Sequence, residues 1–254
     1  MHLSLSLRTR VEAFKGSGEW DEVSLQKEFD SQQIALLLCD MWNIHWCKSA
    51  TRRCEEIVRQ MIPVLKAAHA RGVQIIHAPS DCMEFYKDMP QRQRIQEIVP
   101  VEPPPNREIA EPPLPVDASD NGCDDIPQCP VNHPWTRQHP SLPIREEDVI
   151  SDKGVEVYSL LQQRGIKTLL IMGVHTNMCV LGRSFAIRQM TRWGVPCILV
   201  RDLTDTMYNP RMSPYVDHAQ GTELVVEHIE KYWCPTLLSA DFLRACGWSG
   251  AETA

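Results

Sequence analysis

The chain has 254 residues, 43% of them hydrophobic, enough to bury one sizeable core in a single α/β domain. Its 33 acidic residues outnumber 26 basic ones, for a formal charge of -7, and no basic stripe is available to neutralise phosphates, which argues against nucleic acid and anionic membranes as partners. No apolar run approaches membrane-spanning length, the opening MHLSLSLRTR lacks the apolar core and cleavage site of a secretory signal, and the ten cysteines are scattered rather than framed as in a small secreted domain, so the expected setting is a reducing cytoplasm and the expected partner a small molecule.

In chain order, residues 1–33 read as polar and irregular. IALLLCD (34–40) then reads as a buried strand ending in an acid, and SATRRCEEIVRQMIPVLKAAHARG as a helix with Ser49 a plausible N-cap and a glycine at its close. VQIIHAP (73–79) is a second buried strand, completing a βαβ unit with parallel strands and a right-handed crossover. From about 98 to 143 prolines forbid both helix and central strand, and a loop this long inside a compact domain tends to be functional. Alternation resumes with a helix around VEVYSLLQQRG, the strand IKTLLIMG, a helix over CVLGRSFAIRQMTRWG, the strand VPCILVRDL and a helix over DHAQGTELVVEHIEKYW. The expectation is one doubly wound, mainly parallel, Rossmann-like α/β domain over residues 1–254, with its core at about 34–240 and a proline-rich insertion at about 98–143.

Two residues stand where such a sheet binds ligands. Asp40 ends the first strand and Cys179 follows the strand that begins near Ile166, so both project toward the rim at the carboxyl ends of the strands. A cysteine in the first turn of a helix also meets unpaired N–H groups and the positive end of the helix dipole, which favour the thiolate. Against this stands the reading of Cys179 as a small packing residue, which suffices for Cys39, Cys54, Cys197 and Cys246 in their apolar or helical surroundings.

The pairing of IALLLCD with GVHTNMCV resembles the isochorismatase-like cysteine hydrolase superfamily, whose pattern is a strand ending in a catalytic aspartate and, later, a G-x-x-T-x-x-C-V turn. The likeness spans about residues 34–231 and implies the isochorismatase-type fold. It further implies a nucleophile, Cys179, that attacks a carbonyl carbon, a general base, Asp40, and a lysine completing the triad. It also implies a cis peptide from Val174 to His175, aiming the N–H groups of His175 and Cys179 at the carbonyl oxygen as an oxyanion hole. A cysteine at this position groups the chain with amidase-like members, including nicotinamidases and N-carbamoyl amidohydrolases, and the resemblance implies a homo-oligomer.

For the lysine the nearest candidate is Lys153 in DVISDKGVEVYSLL, where the family's phenylalanine and threonine are absent; Arg137 in PWTRQHP is the other possible cation. Trp42, Asn43, His45 and Trp46 are candidates to line a pocket, although tryptophans also serve simply to cover a helix. Nicotinamidases bind a metal after the second strand; here His77 and Asp81 are present without a second nearby histidine, so no catalytic metal and no cofactor are expected. Within the insertion, Cys123, Cys129 and His133 suggest a zinc clip, but their spacing is wider than common zinc patterns and a plain lid with Trp135 and Arg137 touching substrate is the preferred reading. The expected function is hydrolysis of an amide, carbamoyl or related C–N bond through a Cys179 thioester, the alternative being a non-catalytic small-molecule-binding protein on the same scaffold.

Overall fold

The computed structural model describes residues 2–248. Its centre is a run of six parallel strands: β3 (Ile34–Cys39), β4 (Gln74–Ala78), β5 (Val149–Ile150), β6 (Thr168–Val174), β7 (Cys197–Asp205) and β8 (Thr236–Leu237). They lie side by side in the order β5-β4-β3-β6-β7-β8, with β3 and β6 at the centre. The chain winds outward one way from β3 to β5 and then the other way from β6 to β8, which makes the β3–β6 seam the topological switch point of a doubly wound sheet. Every residue of β3 and β6 is buried, as strands covered by helices on both faces must be, and this is why both read as unbroken apolar runs.

Helices cover both faces. The long α1 (Lys48–Ala70) joins β3 to β4 and packs its apolar stripe, including Ile57, Met61 and Leu65, against Leu36, Leu38 and Leu170. On the other face α4 (Gly154–Gln163), leading into β6, and α7 (His218–Tyr232), between β7 and β8, pack Val157, Leu161, Val225 and Ile229 against Leu37, Leu169 and Ile171. Two short helices, α2 (Met83–Tyr86) and α3 (Pro90–Gln96), follow β4, and α8 (Ser239–Ala245) follows β8. No helix among the described residues is long and apolar enough to cross a membrane.

Three expectations are revised. Residues 1–33 are not irregular: β1 (His2–Glu12) and β2 (Trp20–Asp30) form a long antiparallel hairpin that joins the sheet beside β8. The alternation of Leu3, Leu5 and Leu7, all buried, is the period of a half-buried strand, and its polar partners conceal it from a reading tuned to unbroken apolar runs. The N-cap of α1 is Cys47, two residues before Ser49. The helix expected from Cys179 is broken into α5 (Cys179–Gly182) and α6 (Ile187–Arg192), with Arg183 to Ala186 in a non-helical bend between them. The insertion carries no helix or strand from Glu97 to Asp148, in keeping with its prolines, apart from an isolated bridge between Gln138 and Trp42.

Candidate active site

The switch point is unusually tight. Gly173, at φ 124°, lies so close to β3 that a Cβ there would overlap the carbonyl oxygen of Cys39. Only glycine fits, and the close approach brings the end of β3 against the turn that follows β6. At that end Asp40 takes up left-handed backbone, φ 48°, which aspartate tolerates better than most residues. Its carboxylate is fully buried and held at both oxygens: Oδ1 accepts the Ser80 N–H at 2.7 Å, and Oδ2 accepts Arg183 Nε at 3.0 Å.

The turn after β6 is pinned to the neighbouring strand. Thr176 donates its N–H to the Asp205 carbonyl at 2.8 Å, its hydroxyl meets that of Thr204 at 2.7 Å, and Asn177 exchanges side-chain bonds with the Met207 backbone at 2.9 and 3.0 Å. The peptide from Val174 to His175 is cis. The Met178 and Val180 N–H groups both close onto the His175 carbonyl, at 2.9 and 3.2 Å, so His175 and Cys179 are the two ends of one compact turn. Cys179, half-buried, thereby faces both the Asp40 carboxylate and the Arg183 guanidinium.

Arg183 is the residue that reading the sequence missed. The break after α5 turns its guanidinium back onto Asp40, and its other end reaches Asp81 at 3.2 Å. The signal was present: Arg183 follows Cys179 by four residues, the spacing that puts two helical side chains on one face. Lys153, the expected cation, is the N-cap of α4 instead; its side chain is 63% exposed and its ammonium sits 4.0 Å from Glu156. The reason is local, since Gly154 presses directly against Ser184 and leaves the preceding side chain on the outer surface. Arg137 does not take the role either. Its guanidinium is exposed and lies over the Phe85 ring at 5.5 Å.

The electrostatics of the trio depart from the expected thiolate. Burial, reinforced by the neighbouring Asp40 charge, pushes the Cys179 thiol upward against the opposing pull of Arg183, so Cys179 rests as a neutral thiol. Helix α5 is a single turn, too short to contribute the dipole that a longer helix would. Burial also raises Asp40 above the ordinary aspartate range, with Arg183, Cys179 and Ser80 limiting the rise. Burial works against the Arg183 charge, but Asp40, Cys179 and Asp81 together outweigh it and shift Arg183 up. The resting site is therefore a thiol, a carboxylate of enhanced basicity and a fixed positive charge.

Around this trio the insertion contributes a wall. Trp42 is buried, donates Nε1–H to the Ser80 carbonyl at 3.0 Å and stacks on Trp135 of the insertion at 4.3 Å between centroids. Cys179 packs against the same aromatic cluster, which includes Tyr86. His45 stacks on Trp135 at 5.7 Å and meets the His175 ring edge-on at 4.9 Å. Burial holds both histidines neutral, His175 down at about 3 and His45 at about 4. Asn43 is occupied in fastening the insertion: its amide oxygen accepts the Thr136 and Arg137 N–H groups at 3.0 and 3.3 Å. A narrow cavity opens between Trp42, His45, Thr51, Glu55, His139 and His175. His77 and Asp81, noted as a partial metal pattern, do not converge, because His77 is buried between Gln138 at 2.9 Å and Asp148 at 3.1 Å.

No protein-family model matches the sequence, and no curated protein matches it. Among solved structures the chain is similar to a cysteine hydrolase from Pseudomonas syringae pv. phaseolicola 1448A, with a TM-score of 0.55 and 17% identity over 86% of this chain and 94% of the other. It is also similar to an isochorismatase from Pseudomonas putida KT2440 (TM-score 0.50, 16% identity, 84% and 91% covered) and to an isochorismatase-like hydrolase from Alkaliphilus metalliredigens (TM-score 0.50, 16% identity, 85% and 96% covered). The doubly wound sheet is thus the fold shared by these cysteine hydrolase and isochorismatase structures.

Proposed function

We propose that the chain is a cysteine hydrolase acting on an amide, carbamoyl or related C–N bond of a small molecule. The observation that carries this reading is the placement of Cys179 against the Asp40 carboxylate, with Arg183 Nε 3.0 Å from the same carboxylate. A thiol is a poor nucleophile, and a raised-pKa carboxylate beside it is suited to take its proton as attack begins. In the first half-reaction the Cys179 sulfur bonds to the carbonyl carbon while its proton passes to Asp40. The N–H groups of His175 and Cys179 receive the oxyanion, the C–N bond breaks, and Asp40 returns the proton to the departing amine. Water then gives a proton to Asp40 and its oxygen to the thioester carbon; the C–S bond breaks and the thiol is restored. Arginine keeps its charge throughout, so Arg183 stabilises the ionised carboxylate and the anionic sulfur without moving a proton.

Trp42 and Trp135 offer flat apolar surface beside the sulfur, and the neutral His45 ring continues their stack to His175, a lining suited to a planar, uncharged substrate group. The test is to incubate the chain with a panel of amides and N-carbamoyl compounds and follow ammonia or amine release. Release that disappears in Cys179→Ser and in Asp40→Asn supports the proposal. Tight binding of a panel member with no turnover, unaltered by Asp40→Asn, would assign the scaffold to binding alone.

A further inference from the structure

The insertion meets the start of α1 at a second cluster, separate from the Asp40–Cys179 site. Three sulfurs surround one carboxylate oxygen: Asp125 Oδ2 lies 3.4 Å from Cys47 Sγ, 3.7 Å from Cys123 Sγ and 3.3 Å from Cys129 Sγ. The ligand atoms of Cys47, Cys123 and Asp125 all lie within 4.8 Å of one another. Cys47 and Cys123 are buried, and Cys129 at the edge is half-buried and offers a way in.

Hydrogen bonding alone accounts poorly for this arrangement. The same Oδ2 also accepts the Ser49 N–H at 3.0 Å, so four donors converge on an atom with two lone pairs. A central ion removes the excess: one lone pair binds the ion and the other keeps Ser49. The spacing agrees, because tetrahedral zinc with Zn–S of about 2.3 Å and Zn–O of about 2.0 Å separates sulfur from oxygen by about 3.5 Å, within the observed spread.

The surroundings are those of a metal–thiolate centre. Ser49 Oγ donates to Asp125 Oδ1 at 2.7 Å and orients the carboxylate. Arg52 lies 3.7 Å from Asp125, Arg211 donates to the Asp125 carbonyl at 3.3 Å, and Arg53 pairs with Asp124 at 2.9 Å, so basic groups offset the negative charge. His133, which the sequence suggested as a ligand, is elsewhere, with its ring against Trp135 at 3.9 Å.

We propose that Cys47, Cys123, Cys129 and Asp125 bind one structural zinc ion that staples the insertion to the N-terminus of α1. Cys47, Cys123 and Asp125 supply three converging ligands, and Cys129, already 3.3 Å from the same Asp125 oxygen, supplies the fourth on closing in, which leaves no position for water, as in structural rather than catalytic zinc sites. The staple joins the segment just after His45 and Trp46 to the segment just before Trp135, so it holds the lid over the pocket from both sides.

The test uses the full chain purified under reducing conditions. Elemental analysis is expected to find about one zinc per chain, and stepwise blocking of the thiols to release it as the cluster is modified. Cobalt exchanged into the site should show the intense thiolate-to-metal absorption of a tetrahedral centre. Cys123→Ser and Cys129→Ser should each cut retained zinc by about tenfold or more, while the distant Cys246→Ala retains it. Because metal content and the cobalt spectrum are read on the parental chain, a variant that fails to fold leaves the test intact. Parental protein that retains no zinc after exposure to excess metal and desalting overturns the proposal, as does a disulfide among Cys47, Cys123 and Cys129 in reduced protein. Neither result depends on whether the chain hydrolyses an amide.

Discussion

Asp40 sits buried, and the charge that the proposed mechanism asks of it is unfavourable for folding. Its folded pKa is raised, so the stability linked to it is fully present below the unfolded aspartate value and is lost as pH rises through the folded value. Asp40→Asn is therefore expected to unfold at no lower temperature than the parent at neutral pH, while kcat/KM falls by about 10³-fold for want of a base. Calorimetry and steady-state kinetics on the same preparation check both halves. The same substitution removes the like charge beside Cys179 and leaves Arg183, so the midpoint of the pH dependence of Cys179 alkylation should move down. A midpoint unchanged or moved up, with iodoacetamide and mass-spectrometric mapping, contradicts the arrangement. Arg183→Ala is expected to cost about 10²-fold in kcat/KM and to shift the acid limb of its pH profile upward, because Arg183 opposes the rise in the Asp40 pKa. Lys153→Ala, at an exposed helix cap, should leave both within about twofold, in line with the small effects of surface substitutions.

At the level of elements, the site depends on two close approaches. Gly173→Ala introduces a Cβ that overlaps the Cys39 carbonyl oxygen at a backbone angle alanine rarely adopts. The strands β3 and β6 must separate at the switch point, and denaturant unfolding should report a loss of about 2–4 kcal/mol together with loss of turnover. Gly154 presses against the bend between α5 and α6 that delivers Arg183, so the second approach positions the cation. The bend itself was concealed: CVLGRSFAIRQM has helical spacing throughout, and its interruption follows from packing against the start of α4, a residue thirty positions earlier. The strands were legible because burial on both faces leaves an unmixed apolar run, whereas the β1–β2 hairpin mixes polar and apolar residues and packs one face only.

For the whole molecule, one contribution to acid stability comes from a buried contact between the α1, β4 and β5 sides of the sheet. Asp148 receives His69 at 2.7 Å and His77 at 3.1 Å, and although burial works against ionisation, these bonds hold its carboxyl down at about 2. Its contribution is present above the unfolded aspartate value and is lost as pH falls from about 4 toward 2, amounting to about 2 kcal/mol. Asp148→Asn should flatten the fall in unfolding free energy across that range, as urea titrations at stepped pH would show. The sequence by itself determined the alternation of buried strands and amphipathic helices, and with it the rim on which Asp40 and Cys179 lie, because strand period and crossover handedness are local or generic constraints. It did not determine which cation meets Asp40, what Asn43 holds, or that Cys47 joins Cys123, Cys129 and Asp125. Those pairings join residues up to 143 positions apart, as Asp40 and Arg183 are, and only the packing of the bend and the lid against the sheet decides them.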